Sequence, residues 1–153
     1  RSCYYKISGL STTLCATTLP NVCTSNLDYK AYIRFYDAVS TSFANSKTQF
    51  MGIITKNGTV IGFGCGGNNA VGYFIGNGYN NVSYSTATSG LHYESHWEEY
   101  FMHITSSNGI EFVWHNSTVY STGLGKDGVN TAFFGTNGNS SYFDFIRISP
   151  NAG

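Results

Sequence analysis

The chain has 153 residues, about one domain's worth, with eight cations, eight anions and a formal net charge of zero. Charged residues make up 10%, against roughly 25% in an ordinary soluble domain, while Ser, Thr, Asn and Gly fill 67 positions and aromatics reach 16%. Such a chain is too aromatic for disorder and too poor in cations for a nucleic-acid partner, and it lacks the roughly 18 unbroken apolar residues of a transmembrane helix.

In chain order, residues 1–26 stand apart from 27–153. The first segment is Ser/Thr-rich, carries three of the four cysteines, and has one strand-like run, Tyr4, Tyr5, Lys6 and Ile7. From Leu27 onward strands and turns alternate. Ala31–Val39 puts Tyr32, Arg34 and Tyr36 on one face and Ile33, Phe35 and Asp37 on the other. Phe50–Thr55 and Thr59–Phe63 flank Lys56-Asn57-Gly58, a hairpin signal. Gly62–Gly67 reads as a glycine-rich loop or bulge, Gly67-Asn68-Asn69 as a turn, and Val71–Ile75 ends at Asn77-Gly78. Trp97–Thr105 places Tyr100, Met102 and Ile104 opposite Trp97, Phe101 and His103. Asn108-Gly109 leads into Ile110–Trp114, then Thr118–Ser121. Asp127-Gly128 and Asn137-Gly138 bracket Ala132–Phe134, and Tyr142–Ser149 closes the pattern before Pro150. No segment holds a helical period over three turns. Turn signals every 8–12 residues between short strands predict an all-β fold, an antiparallel sandwich or barrel.

The chain begins at Arg1 with no apolar leader, so a signal segment is expected to have been removed or the chain trimmed. Cys3, Cys15, Cys23 and Cys65 do not have zinc-site spacing. Two disulfides are expected; three connectivities exist, and Cys15–Cys23 with Cys3–Cys65 is preferred because Pro20 and Asn21 offer a turn inside the first loop. Sequons stand at Asn57, Asn81, Asn116 and Asn139, each at or beside a predicted turn. These features predict an extracellular or cell-surface glycoprotein carrying covalent glycans.

The run His96-Trp97-Glu98-Glu99-Tyr100-Phe101-Met102-His103-Ile104, followed by Asn108-Gly109-Ile110-Glu111-Phe112-Val113-Trp114, resembles the laminin-G and concanavalin A-like lectin pattern, in which a Trp opens a strand and a Gly turn leads to the next. Tyr142-Phe143-Asp144-Phe145-Ile146-Arg147-Ile148-Ser149 is similar to the closing strand of such domains. The resemblance implies a jelly-roll sandwich. Its members include lectins, glycan hydrolases, adhesion modules and structural subunits, so it does not select an activity.

Glycan hydrolysis needs two facing carboxylates. The superfamily's Glu-x-Asp-x-x-Glu strand is absent, and Glu94, Glu98 and Glu99 form the sole acidic cluster. His92, Glu94 and His96 share a strand face, but the two imidazoles would lie about 13 Å apart, so they are weak metal candidates. Calcium, common in the superfamily, would find only Asp127 and Asn130 in Lys126–Asn130, which reads as a turn; no cofactor is expected. There is no nucleophile elbow and no phosphate loop.

Three functions follow in order of preference. The first is a non-enzymatic structural or adhesive subunit. It would self-assemble into a fibre, sheath or matrix by strand pairing, with Tyr4, Tyr5, Lys6 and Ile7 offered to a neighbour's sheet. The second is a lectin-like module binding a carbohydrate through Trp114, Trp97, Tyr73, Tyr79, Asn80 and His115. The third is a hydrolase, which requires Glu98 or Glu111 to face Asp144 or another acid across a cleft.

Overall fold

The computed structural model describes residues 5–7, 12–20, 24–35, 48–66, 70–78, 81–92, 95–137 and 141–153. Twelve strands run β1 (Tyr5–Ile7), β2 (Thr12–Thr18), β3 (Leu27–Phe35), β4 (Thr48–Thr55), β5 (Val60–Cys65), β6 (Ala70–Gly76), β7 (Val82–Leu91), β8 (Glu98–Thr105), β9 (Gly109–Trp114), β10 (Ser117–Thr122), β11 (Val129–Asn137) and β12 (Ser141–Pro150). They form two six-stranded antiparallel sheets. The front sheet is ordered β1-β12-β3-β8-β9-β10, the back sheet β2-β11-β4-β5-β6-β7. This is the expected sandwich. No helix among the described residues is long and apolar enough to cross a membrane.

Alternation explains the layers. In β3, Leu27, Tyr29, Ala31 and Ile33 are buried while Asp28, Lys30, Tyr32 and Arg34 look out. In β8, Tyr100, Met102 and Ile104 point in and Phe101 and His103 point out. They meet Met51, Ile53, Ile61 and Phe63 of the back sheet, each contributing about 1.5–3 kcal/mol of burial. The Tyr29 hydroxyl spans the layers, donating to the Phe133 carbonyl at 2.6 Å.

The back sheet carries a second apolar layer. Phe50, Phe74 and Phe133, with Val60 and Ala70, form a separate cluster on its other face. Gly52 and Gly62, direct register partners, leave room for those rings: a Cβ on Gly52 would meet Phe133 at 2.2 Å and one on Gly62 would meet Phe74 at 2.0 Å. Gly62–Cys65 of the glycine-rich run is therefore buried strand, the end of β5, in place of the expected loop or bulge; residues 67–69 lie outside the described residues.

Residues 1–26 supply an edge strand to each sheet. Tyr5, Lys6 and Ile7 pair with Phe143, Tyr142 and Ser141 of their own chain, so this run is not donated to a neighbour here; Tyr4 lies outside the described residues. β12 offers its free edge in the same molecule, which makes the intramolecular pairing the local one. β2 and β7 have no counterpart among the expected strands. Their sequences, TTLCATT and VSYSTATSGL, are too polar to show an apolar alternation.

Neither expected disulfide is formed, because Cys15 and Cys65 are free thiols; Cys3 and Cys23 lie outside the described residues. Cys65 points into the interior and donates to the Gln49 Oε1 atom at 3.3 Å, and burial pushes its thiol far up. Cys15 is exposed beside a side cleft lined by Tyr29, Phe134, Ile146 and Ile148.

Candidate functional site

The site starts from a change of parity in β12. Phe143 is buried at an odd position, yet Ile146 and Ile148 pack on the core at even ones. A strand cannot bury both parities without an extra residue, since a one-residue slip turns every side chain over. The structure inserts it between Asp144 and Arg147, where the register against β3 shifts. Phe145 is the residue turned out. It adopts φ 47, a left-handed conformation that bulky residues avoid, and its N–H donates to the Asp144 Oδ1 atom at 2.8 Å. Its ring is 55% exposed.

Phe145 and Tyr32, edge-to-face at 5.7 Å between centroids, rise from a groove of about 240 Å³ on the outer face of the front sheet. Lys30, Glu99 and Arg147 complete its lining with the Ala31 backbone region. The aromatic face continues on both sides. Lys30 Nζ lies 4.5 Å over the Phe101 ring, and the Arg34 guanidinium sits between Trp97 at 5.4 Å and Tyr142 at 4.9 Å. Further along the same face, His103 Nδ1 and Asp28 Oδ1 are 2.6 Å apart.

A buried polar chain occupies the interior at the other side of β8. Glu98 has the inward parity of Tyr100 and meets His92 from beyond β7. His92 Nε2 faces the His96 carbonyl at 2.9 Å, so Nε2 carries the proton and donates. Its Nδ1 then accepts from the Tyr100 hydroxyl at 2.8 Å and stands 3.3 Å from Glu98 Oε2. Burial lowers His92 from 6.5 to about 4 and raises Glu98 from its ordinary value, the latter opposed by His115, His96 and the Trp114 indole. The other Glu98 oxygen accepts from exposed His115 at 3.1 Å. With Nε2 donating to His96 and Nδ1 accepting from Tyr100, neutral His92 has no proton to give Glu98.

No family model and no curated protein match this chain. Solved structures do. A heptameric SAP-like pentraxin from Limulus polyphemus aligns with TM-score 0.55 at 11% identity over 90% of this chain and 69% of that one. The ligand-binding domain of botulinum neurotoxin serotype D, in complex with N-acetylneuraminic acid, aligns with TM-score 0.53 at 15% identity over 97% of this chain and 39% of that one. A β-1,3-glucanase from Mycobacterium marinum aligns with TM-score 0.50 at 9% identity over 82% and 63%. What these structures share with the chain is the two-sheet jelly-roll sandwich that the resemblance implied. These likenesses concern fold alone.

The described members of the expected sugar-binding set, Trp97, Trp114, Tyr73 and His115, do not converge. Trp114 is only 6% exposed, and His115 lies flat on it at 3.7 Å. Tyr73 is stacked on Tyr120 at 4.0 Å. Trp97 alone of the set joins the outer aromatic face, through Arg34. Tyr79 and Asn80 lie outside the described residues, as does Glu94. His92 is buried rather than on a polar surface, and no metal-holding group of three appears among the described residues. Asn57, Asn81 and Asn116 are exposed; Asn139 lies outside the described residues. Of Lys126–Asn130, Lys126 and Asp127 lie in a turn closed by Gly128 N–H donating to the Gly125 carbonyl at 3.0 Å, and Val129 and Asn130 already belong to β11. Glu98 faces inward, whereas Glu111 of β9 and Asp144 of β12 both lie at outward positions of the front sheet.

Sequence reasoning does not gather Tyr32, Lys30, Glu99, Phe145 and Arg147 into a site. The one signal available to it is the parity switch between Phe143 and Ile146, which by itself marks a bulge in the closing strand.

Proposed function

We propose that this chain is a non-enzymatic, extracellular lectin-like domain that binds carbohydrate across the outer face of its front sheet. The observation that carries this reading is Phe145, a large apolar ring held 55% exposed on a strained bulge at the lip of a groove. Strain of this kind costs about 1–3 kcal/mol and collects at ligand sites. Flat rings with adjacent charged hydrogen-bonding groups suit a pyranose, whose C–H face stacks and whose hydroxyls seek donors and acceptors. Phe145 and Tyr32 supply the stacking; Glu99 accepts from hydroxyls, and Lys30 and Arg147 donate. The fold neighbour from botulinum neurotoxin serotype D, seen with N-acetylneuraminic acid, supports the general class.

A glycan array followed by titration calorimetry tests the reading. Wild type is expected to bind a subset of glycans, and Phe145→Ala to lose at least about tenfold in affinity. Binding that is indifferent to Phe145→Ala moves the site elsewhere, and no binder at high micromolar concentration removes the reading.

Self-assembly keeps one specific support. The four edge strands β1, β10, β2 and β7 carry a single charge among them, Lys6, and only β10 and β7 pair with a register shift, so little charge on them opposes edge-to-edge pairing. The neighbouring pentraxin is itself heptameric. Multivalent display of a weak sugar site is the use such assembly would serve.

A further inference from the structure

We infer that the groove beside Phe145 selects carbohydrate bearing a carboxylate, one acidic group per bound sugar residue. This specificity rests on the carbohydrate reading above and narrows it.

Arg147 of β12 stands directly opposite Lys30 of β3 in the cross-strand register. Like charges in that position repel, and a sheet ordinarily places a carboxylate or a neutral residue there. The chain has only eight cations, so putting two of them face to face is a costly use of them. The Phe101 ring, 4.5 Å beneath Lys30 Nζ, offers that cation a π face but no counter-charge. Among the described residues neither Lys30 nor Arg147 forms an ion pair, and Glu99, which lines the same groove, pairs with neither. An anion held between Lys30 and Arg147 would convert the repulsion into two charge-assisted contacts, and the planar Arg147 fork fits a carboxylate through two parallel bonds.

The same count sets the limit on the ligand's charge. Lys30, Arg147 and Glu99 sum to one net positive charge in the groove. That matches a single carboxylate per sugar. A polysulfated chain would need a basic stripe, and a chain of zero formal charge supplies no long-range attraction to one. Glu99 adds discrimination: it lies too near for a second anion and instead accepts from the ring hydroxyls. Phe145 and Tyr32 then seat the ring, while Lys30 and Arg147 fix which edge of it carries the acid.

The test uses matched probes that differ only in charge: oligogalacturonate, oligoglucuronate and sialyllactose, each beside its methyl ester, with lactose and cello-oligosaccharides as neutral sugars. Wild type is expected to bind at least one acid about tenfold more tightly than its ester, with an affinity that falls as salt rises. The Lys30→Gln/Arg147→Gln variant is expected to lose the difference between that acid and its ester, binding the acid no better than the ester. Equal binding of acid and ester, or strong binding confined to the neutral sugars, overturns the acidic specificity and leaves the carbohydrate reading standing. Binding of no probe and no array glycan overturns both.

Discussion

At Phe145 the backbone and the side chain want different things. The left-handed φ of 47 is uncomfortable for any residue with a Cβ and comfortable for Gly. Replacing the ring therefore yields a diagnostic order. Phe145→Gly is expected to be about 1 kcal/mol more stable than Phe145→Ala, reversing the usual penalty for Gly in a strand. Denaturant midpoints of the two variants check it, and the usual order would mean that the bulge is not strained. The His92–Glu98 dyad carries the second prediction at this scale. His92 titrates at about 4 in the fold and 6.5 when unfolded, so between those values the unfolded chain binds the extra proton and stability falls as pH falls. Glu98 is raised by burial, so above its ordinary 4.5 the folded chain keeps a proton that the unfolded chain has released, and stability falls as pH rises. The two slopes oppose one another where their windows overlap. Glu98→Gln removes one of them. The variant is expected to lose stability between pH 6.5 and 4 more steeply than wild type, by up to about 1.4 kcal/mol per pH unit. Parallel pH profiles from chemical denaturation would show that burial does not raise Glu98.

At the scale of strands, β5 shows why glycine is required where the sequence alone suggested a loop. Gly62 lies beneath the Phe74 ring, and a Cβ there would fall 2.0 Å from it. Gly62→Ala is expected to cost about 1–3 kcal/mol, and Phe74→Leu in the same chain to recover part of that loss. Thermal melts of the single and double variants test it; additive destabilisation would show that the ring does not occupy that space. Strands whose burial follows strict alternation, β3 and β8 above all, are legible in the sequence because Tyr29, Ile33, Tyr100 and Met102 fall on one parity. β2 and β7 are not, since Thr, Ser and Ala at edge positions carry no apolar period even though they complete a sheet. The site stays hidden for a related reason. Phe145 reads as one more inward aromatic until the bulge turns it out, and Lys30 and Arg147 meet only once β12 is registered on β3. Trp114 misleads in the opposite sense: a tryptophan at a strand end suggests a platform, but its parity is that of Phe112, and it is buried.

For the molecule as a whole, scarcity of charge has two consequences that the sandwich separates in space. On the front face three of the sixteen charged side chains are gathered in one groove, whereas the sheet edges are left almost bare. Soluble sandwiches ordinarily guard such edges with lysine, proline or a bulge, because unpaired N–H and C=O groups template another strand. Here β2 carries neither a charge nor a register shift, β10 carries no charge and one shift between Thr118 and Tyr120, and their exposed side chains are Ser, Thr and Ala with Cys15. Edge pairing between copies is the expected result, and it is separable from sugar binding because Ala16 on β2 and Ser121 on β10 lie outside the Phe145 groove. Sedimentation velocity across roughly a hundredfold range of concentration reads it. Wild type is expected to shift to larger species at the upper end, and Ala16→Lys or Ser121→Lys to move the distribution back towards monomer without loss of glycan binding. The variant that acts identifies the sheet whose edge pairs. A wild-type chain that stays monomeric throughout, with both lysine variants indistinguishable from it, ends the assembly reading and leaves a monovalent sugar-binding domain.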